Sequence, residues 1–365
     1  MLYYLSNALL VTTTSPEYRD VIAAVDNLAI SAFESKHELF GDFNVMEALS
    51  RNTDLGLRSR LVLNRIVQNY ASCSIPLEIS YYVEVVPNVR NRKRLVGRRV
   101  VVQLAACELL DSKSVQESCL IGEFYYDCQF FRQILLRYKR KNGLTTPVCF
   151  EDIAGCGDTV IDHVRQYLIR DKRPTLAIVD SDKKYPSQPI MSNSTCGKCK
   201  GKYVENVLYK LLHMNVHEAE NLIPLEVIDN LHWTGYGVDF KRAYDSLRSN
   251  PDTETILAFF DIKNGIKNTD EFRNSQEYQA YARICCLCDS SSQGHSDFDQ
   301  FISSLADKGV VFPMLSKNLL RDAIDYMKSH SADDFLLMKF QEREWNRISA
   351  KMINWGICRN KEALN

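Results

Sequence analysis

The chain has 365 residues, 45% hydrophobic and 25% charged, which is the composition of a globular protein with two or three domains. Its 45 basic and 46 acidic side chains give a net charge of −1, so it is not a wholesale basic nucleic-acid binder, and any such surface has to be local. Because the apolar start lacks a basic segment and no long apolar run occurs, we expect no signal peptide, no membrane span and a cytoplasmic location.

The N-terminal third combines helical and strand patterns. Helical periodicity covers Asp20–Ser31 and Leu57–Tyr70, and β-rich runs follow at Leu77–Val86 and Val100–Leu104. Between these runs, residues 89–99 carry six cationic side chains in eleven positions, which predicts a basic hairpin or loop. It is either a solvated turn or an edge that contacts phosphates.

Residues 147–186 have the pattern of a β-α-β unit. Two short apolar runs, Val148–Phe150 and Leu176–Val179, lie on either side of a helical pattern at residues 160–168. Each run ends in acids, namely Glu151 with Asp152 and Asp180 with Asp182. Because open α/β sheets build their sites at the carboxyl ends of parallel strands, we expect these acids to share one edge.

Further along the chain, Val204–Met214 is predicted to be a helix and Ile256–Phe260 a third strand, with Lys263 just beyond it. Glu218 and Glu220 lie between these two elements. Carboxylates are hard oxygen ligands that suit Mg²⁺ or Mn²⁺, and several together need a cation because like charges raise each other's pKa. Such clusters support phosphoryl transfer, and an adjacent lysine can neutralise charge that develops on the phosphate.

Four of these segments together resemble a Toprim domain, the catalytic fold of topoisomerases, primases and several nucleases. The resemblance is greatest to the overcoming-lysogenization-defect nucleases and to related Toprim effectors of bacterial anti-phage systems. It covers residues 147–267 and lies in Phe150-Glu-Asp-Ile-Ala-Gly155, Ile178-Val-Asp-Ser-Asp182, His217-Glu-Ala-Glu-Asn-Leu-Ile-Pro224 and Phe260-Asp-Ile-Lys-Asn-Gly265.

The resemblance implies a role for each matching residue. Glu151 would be a base or metal ligand, Asp180, Asp182 and Glu220 would be metal ligands for Mg²⁺ or Mn²⁺, and Lys263 would stabilise charge. Asp152 occupies the position where Toprim domains usually have glycine, so the first acid is either Glu151 or Asp152. The alternative is that all of these are solubilising acids at strand ends.

Two Cys-x-x-Cys pairs predict a structural zinc site. Cys196 and Cys199, separated by glycine and lysine, have the form of a zinc knuckle, and Cys285 and Cys288 supply a second pair. Four thiolates suit a closed tetrahedral Zn²⁺ site, with Cys286 or His295 as substitute ligands. The alternatives are a redox pair or two unrelated pairs.

These observations together predict an α/β protein whose Toprim-like, mostly parallel sheet is flanked by helices. We expect an N-terminal α+β region at 1–143, the Toprim-like domain at 144–274 and a C-terminal helical region at 275–365, joined by zinc. The expected function is Mg²⁺-dependent hydrolysis of DNA or RNA as a defence effector. A regulatory protein partner is expected, with an ATPase as one candidate, and oligomers are compatible with the sequence. The alternative is a zinc-stabilised module that binds nucleic acid or protein through a degenerate acidic site.

Overall fold

The computed structural model describes residues 1–72, 74–89, 93–202, 206–231, 245, 254–288, 302–312, 318–330 and 334–360, with the side chains at 72, 158, 281, 284–288 and 312 left out. Within these residues the protein is a mixed α/β structure in which helices flank mainly parallel sheets, as the sequence predicts. No helix of the described residues is both long enough and apolar enough to cross a membrane.

The first sheet contains five strands, in the order β2-β1-β3-β5-β4. The strands are β1 (Leu2–Leu5), β2 (Glu38–Gly41), β3 (Tyr81–Val86), β4 (Lys93–Val96) and β5 (Arg99–Ala105). All neighbours pair in parallel except β4, which forms an antiparallel hairpin with β5 at one edge. The predicted basic hairpin is therefore an edge hairpin of this sheet.

Three helices accompany the first sheet: α1 (Tyr18–Phe33), α2 (Phe43–Arg51) and α3 (Leu57–Gln68). Each buries one apolar face, as Val21, Val25 and Leu28 of α1 show. This face makes α1 a cover for the sheet, and the helices at Asp20–Ser31 and Leu57–Tyr70 are confirmed to within a few residues.

The second sheet contains four parallel strands, in the order β7-β6-β8-β9. The strands are β6 (Cys119–Gly122), β7 (Glu151–Ala154), β8 (Thr175–Val179) and β9 (Tyr209–His213). Strands β6 and β8 are central and completely buried, which is typical of parallel strands covered on both faces. The N-terminal region predicted from the sequence ends at residue 143. Strand β6 comes before this position and β7, β8 and β9 come after it, so the second sheet includes a strand from the predicted N-terminal region.

The remaining elements surround the second sheet. The helices are α4 (Tyr125–Lys141), α5 (Val160–Val164), α6 (Thr195–Lys202), α7 (Leu225–Asn230), α8 (Glu254–Phe259), α9 (Asp270–Arg273), α10 (Gln276–Cys288), α11 (Leu319–Ser329) and α12 (Lys339–Gly356). Strands β10 (Ile266–Lys267) and β11 (Val310–Phe312) form a small antiparallel pair.

Helix α12 connects the two sheets. Near its end, the side-chain oxygen of Asn354 accepts hydrogen bonds from the backbone amides of Ser80 and Tyr81, both at 2.8 Å. Trp355 stacks on Tyr81, and its carbonyl accepts a hydrogen bond from the Ser118 hydroxyl at 2.6 Å. The first sheet and the second sheet are thus fixed to one helix.

Three predicted elements are wrong. The strand expected at Val148–Phe150 starts at Glu151, residues 209–213 of the expected helix Val204–Met214 form β9, and the expected strand Ile256–Phe260 is α8. All three are short apolar runs, and periodicity alone does not separate a short buried strand from a buried helix.

Candidate active site

The second sheet has a switch in strand order between β6 and β8. From β6 the chain moves outward to β7, then returns to place β8 and β9 on the other side. In open parallel sheets, ligands bind in the crevice outside the carboxyl ends of the strands at such a point. Glu123 directly follows β6, and Asp180 directly follows β8.

Glu123 is held between backbone and hydroxyl donors. Its Oε1 accepts a hydrogen bond from the amide of Asp180 at 3.1 Å, and its Oε2 accepts one from the Thr195 hydroxyl at 3.2 Å. Burial, followed by the negative charge of Asp182, raises the pKa of Glu123 to about 7. The raised pKa means that the surroundings of Glu123 disfavour its negatively charged form.

Asp127 lies four residues later, in the first turn of α4. Its carboxylate accepts a hydrogen bond from the amide of Phe124 at 2.7 Å, which is how an acid stabilises a helix start. Burial raises the Asp127 pKa to about 6, and the charge of Glu220 adds to this effect. Glu220 comes from a different segment, so the two loops bring carboxylates together.

Asp180 and Asp182 differ in exposure. Asp180 is buried, and its Oδ1 accepts a hydrogen bond from the amide of Ala219 at 3.1 Å. Burial raises its pKa well above the usual value, and the charges of Glu123 and Asp127 act in the same direction. Asp182 is exposed with a positive φ of 56°, so it lies toward solvent. Of the two acids in the predicted Asp-x-Asp pair, Asp180 is therefore buried in the site and Asp182 faces solvent.

Glu218 and Glu220 flank the start of a short 3-10 turn, Ala219–Leu222, and both are buried. Lys263 forms ion pairs with both, with Nζ 3.2 Å from Glu218 Oε2 and 3.0 Å from Glu220 Oε2. Burial, followed by the charge of Glu220, raises the pKa of Glu218 to about 7. Burial alone would lower the Lys263 pKa, but the two glutamates outweigh it and raise that pKa.

Asn221 fixes this turn. Its side-chain amide donates to the carbonyls of Leu257 and Phe260, both at 2.8 Å, and its oxygen accepts from the amide of Glu218 at 2.9 Å. These bonds tie the glutamates to the end of α8, which precedes Lys263. The local sequence therefore sets the position of the lysine against the acids.

His217 lies beside the acids. Its Nδ1 is 3.0 Å from the carbonyl oxygen of Lys183, and its Nε2 is 3.5 Å from Asp261 Oδ2. Burial alone would lower the pKa of His217, but Asp261 and Glu218 outweigh it and raise that pKa. Ligand atoms of His217, Glu218 and Asp261 lie within 4.8 Å of one another, so this group could hold a metal ion.

The structure separates Glu151 from the other predicted site residues, so its expected place at the shared edge is wrong. Glu151 begins β7 in register with Cys119, which is in register with Thr175. Asp180 lies five residues beyond Thr175, or about 16 Å along the strand. Glu151 instead forms an ion pair with Arg173 at 2.7 Å.

Asp152 is not at the site either. Its carboxylate forms an ion pair with Arg132 of α4 at 2.8 Å. Gly155 follows β7 and packs against the end of β6, with its amide donating to the carbonyl of Gly122 at 2.9 Å. A Cβ at Gly155 would come within 2.8 Å of that oxygen, so glycine is needed for this approach.

Glu123 and Asp127 are the residues that the sequence interpretation missed. The signal was the apolar run Cys119–Gly122 followed at once by Glu123, with a helical pattern behind it. The run is only four residues long, which leaves little pattern to recognise. Of the predicted site residues, the structure brings Asp180, Glu220 and Lys263 together, and Asp182 is near enough to Glu123 to influence its pKa.

The first cysteine pair lies in a helix. Cys196 and Cys199 belong to α6, are fully buried and pack in an apolar cluster with residues such as Val160 and Tyr209. Burial raises their pKa values to about 11 and about 12 respectively. The side chains of Cys285 and Cys288, at the end of α10, lie outside the described residues, as does His295, so the zinc site stays a prediction.

The donor chemistry of the site suits a hard divalent cation, although among the described residues the one group whose ligand atoms all lie within 4.8 Å is His217, Glu218 and Asp261. Glu123, Asp127, Asp180, Asp182, Glu218 and Glu220 offer carboxylate oxygens, the ligand type that Mg²⁺ and Mn²⁺ take. Burial and mutual repulsion raise the pKa values of four of them, Glu123, Asp127, Asp180 and Glu218. A cation among them would relieve that repulsion.

Comparison of the chain with protein-family models, with curated proteins and with solved structures found no match in any of the three. The functional argument therefore depends on the site itself.

Proposed function

We propose that the protein is a Mg²⁺-dependent, Toprim-like nuclease that hydrolyses phosphodiester bonds of DNA or RNA. The observation that supports this most is the meeting of buried carboxylates from β6, β8 and the turn at residues 218–222, with Lys263 among them. Carboxylates that can bind a divalent cation, together with a lysine that can neutralise charge on a phosphate, support metal-assisted phosphoryl transfer.

Placing Glu123 as the first acid improves the likeness to a Toprim domain. Glu123 directly follows a strand, as the first glutamate does in the resemblance, and Asp180 and Asp182 follow the neighbouring strand of the sheet. In this proposal Glu123 replaces Glu151 as the first base or metal ligand. The other metal ligands stay as the resemblance implies, namely Asp180, Asp182 and Glu220.

The carboxylates would hold Mg²⁺ or Mn²⁺. When bound, such an ion polarises the phosphate and helps to generate a hydroxide nucleophile. Glu123 and Asp180 form the inner part of the site, because both are buried and joined by a 3.1 Å hydrogen bond from the Asp180 amide. Asp182 lies at the solvent-exposed side of the site, so it would be an outer ligand of the ion.

Lys263 would stabilise charge on the phosphate. Its side chain is 27% exposed, and its ammonium group pairs with Glu218 and Glu220. Those two glutamates keep the lysine charged by raising its pKa. A fixed cation beside the reacting phosphate needs no reorganisation as negative charge develops.

The cellular role is proposed on the resemblance alone. It is that of a cytoplasmic effector in a bacterial anti-phage system, controlled by a protein partner such as an ATPase. An unregulated nuclease would attack the host's own nucleic acid, which gives control by a partner a physical purpose.

The structure gives little support to the alternative of a binding module centred on the basic hairpin. Arg94 forms an ion pair with the buried Glu84, and Arg99 donates to the carbonyls of Ile79 and Ile75, both at 3.0 Å. These two guanidinium groups stabilise their own sheet instead of presenting free charge to a phosphate backbone. Lys93 is exposed on β4, and residues 90–92 lie outside the described chain.

Three matched variants test the proposal: Glu123→Gln, Asp180→Asn and Glu151→Gln. The assay is cleavage of plasmid, single-stranded DNA and RNA with Mg²⁺ or Mn²⁺, with EDTA as the metal-free reference. We expect the first two variants to fall to the EDTA level and Glu151→Gln to cut like the wild type, since Glu151 lies at the opposite edge. Full cleavage by Asp180→Asn would refute the assignment.

A further inference from the structure

Three consecutive aromatic residues follow Glu123 directly. Phe124, Tyr125 and Tyr126 are 51%, 54% and 44% exposed. They occupy the N-cap and the first two positions of α4, immediately before Asp127. The opposite face of this helix is packed, because Cys128, Phe130 and Phe131 are completely buried.

The aromatic triad, Phe124 to Tyr126, is unlike ordinary surface residues. Half-exposed rings of this size present about 300 Å² between them, which is the size of surface patch that is often functional. The rings of Tyr125 and Tyr126 contact each other, with centroids 6.0 Å apart and planes inclined at 64°. Packing within the protein does not explain three such rings in a row.

The triad is rigidly placed relative to the acids. The backbone amide of Phe124 donates to Asp127 at 2.7 Å, and the carbonyl of Glu123 accepts from the amide of Gly157 at 3.2 Å. The rings are therefore attached to the same fixed turn that positions Glu123. The three rings and the Glu123 carboxylate therefore project from consecutive residues of one turn.

A nucleobase is the group that neighbours a phosphodiester in nucleic acids. Aromatic side chains stack on bases without sequence preference, because every base has a π-face. In a duplex those faces are already covered by neighbouring base pairs, whereas an unpaired strand leaves them open. The triad therefore favours a single strand over a duplex.

A cationic helix flanks the same site. Helix α6 begins with Thr195, whose hydroxyl donates to Glu123, and exposed Lys200 and Lys202 follow along it. The buried residues of α6 pack on the face of the second sheet opposite to α4, so these lysines lie on the other side of the sheet from the rings. They add positive charge to that side of the site, which favours a phosphate backbone.

We propose that Phe124, Tyr125 and Tyr126 form a stacking platform that makes unpaired DNA or RNA the substrate of this site. This inference rests on the proposed nuclease function for the chemistry, but the platform itself is defined by binding. The shared ligand chemistry is an unpaired nucleobase next to a phosphodiester.

The test is binding of fluorescein-labelled oligonucleotides, followed by anisotropy in Ca²⁺ so that cleavage does not interfere. The probes are a single-stranded DNA, the same sequence as RNA, its DNA duplex and an abasic single strand. The variant is Phe124→Ala with Tyr125→Ala and Tyr126→Ala. The matched control is Phe33→Ala, an aromatic residue at the end of α1 with 42% exposure.

We expect the wild type and the control to bind the two single strands at least tenfold more tightly than the duplex or the abasic strand, since stacking on several rings is lost there. The triple variant should lose about tenfold or more on the single strands and little on the abasic strand. Circular dichroism and the melting temperature establish that it is folded.

Equal binding of duplex and single strand by the wild type would overturn the inference. So would unchanged single-strand binding by the triple variant. These results are separate from the nuclease test: if the wild type shows no metal-dependent cleavage the nuclease function fails, and if Asp180→Asn cuts normally the assignment of its site fails, whatever the platform binds. A difference between the DNA and RNA probes identifies which nucleic acid the platform prefers.

Discussion

The two parallel sheets treat their buried carboxylates in opposite ways. In the first sheet, Glu84 is buried on β3 and receives two donors from Arg94, one of them at 2.9 Å, and a third from Gln103 at 3.0 Å. In the second sheet, Glu123, Asp127, Asp180, Glu218 and Glu220 are buried together, and Lys263 pairs with the last two.

This difference indicates that the buried acid of the first sheet has a structural role, whereas the buried acids of the second sheet form a candidate binding site. A buried acid with its own arginine costs little to ionise and holds neighbouring strands in place. Acids that outnumber their cations raise each other's pKa and lower the stability of the empty fold. Such an arrangement has a physical purpose when a divalent cation completes it.

Among the variants that compare the two sheets, the largest effect is expected from Lys263→Met. It removes the cation that faces the phosphate, so we predict a loss in the cleavage rate of roughly 100-fold or more, the scale of losing one fixed charge stabiliser. The measurement is kcat for metal-dependent cleavage at saturating substrate. Lys267→Met, an exposed lysine on β10, is the control and should leave kcat unchanged. Equal rates for both lysine variants would remove Lys263 from the mechanism.

A smaller effect is expected from Arg94→Met in the first sheet. Glu84 would stay buried without its arginine, and we predict a loss of about 2 kcal/mol in the free energy of unfolding, discounted because Arg94 is partly exposed. Urea denaturation measures it, with the exposed neighbour Lys93→Met as control. Folded Arg94→Met should still cleave at the wild-type rate. A loss of cleavage with stability unchanged would show that the hairpin contacts substrate.

An effect on stability of similar size is expected to depend on pH. In the metal-free fold the pKa of Glu123 is about 7, against a usual value of 4.5. The folded state therefore keeps a proton that the unfolded chain has lost, and stability falls as the pH rises from about 4.5 through about 7. Gln at this position keeps an acceptor for the Asp180 amide and cannot ionise. Without metal, Glu123→Gln should gain on the order of 2 kcal/mol over wild type at pH 9 and little at pH 5.

Comparing the two proteins at each pH cancels the contributions of other groups. The N-terminal amine of Met1 and His37, for example, have pKa values lowered by burial and act in the opposite direction on the pH dependence. Chemical denaturation at both pH values in EDTA provides the free energies. A gain at pH 5 as large as at pH 9 would mean that ionisation of the buried Glu123 is not the cause.

Part of the site could be predicted from the sequence because the residues lie directly beside recognisable runs. Asp180 and Asp182 follow the fully apolar Leu176–Val179, and this run is long enough to identify as a strand. Glu220 and Lys263 came from the order of segments in the resemblance, although the neighbouring elements were misassigned. For Glu220 and Lys263, the order of the segments along the chain was therefore a better guide to the site than the predicted secondary structure around them.

Glu123 could not be placed in the same way. Which strand is central depends on pairing between residues far apart in the chain, such as Cys119 with Thr175, and no local pattern contains that information. The apolar run at Val148–Phe150 is also followed by two acids, Glu151 and Asp152. The sequence pattern therefore predicts the first acid of the site there instead of at Glu123. The structure shows that Glu151 and Asp152 each have an arginine partner, which a single sequence does not reveal.

Binding of Mn²⁺ measured by calorimetry tests most directly whether these carboxylates surround a divalent cation. The samples are wild type, Glu123→Gln and Glu151→Gln at pH 8, where Glu123 is mostly ionised. We predict that wild type and Glu151→Gln bind with equal affinity and that Glu123→Gln binds at least about tenfold more weakly, as expected for a lost ligand. No binding by the wild type, or weaker binding by Glu151→Gln alone, would contradict the assignment of the metal site.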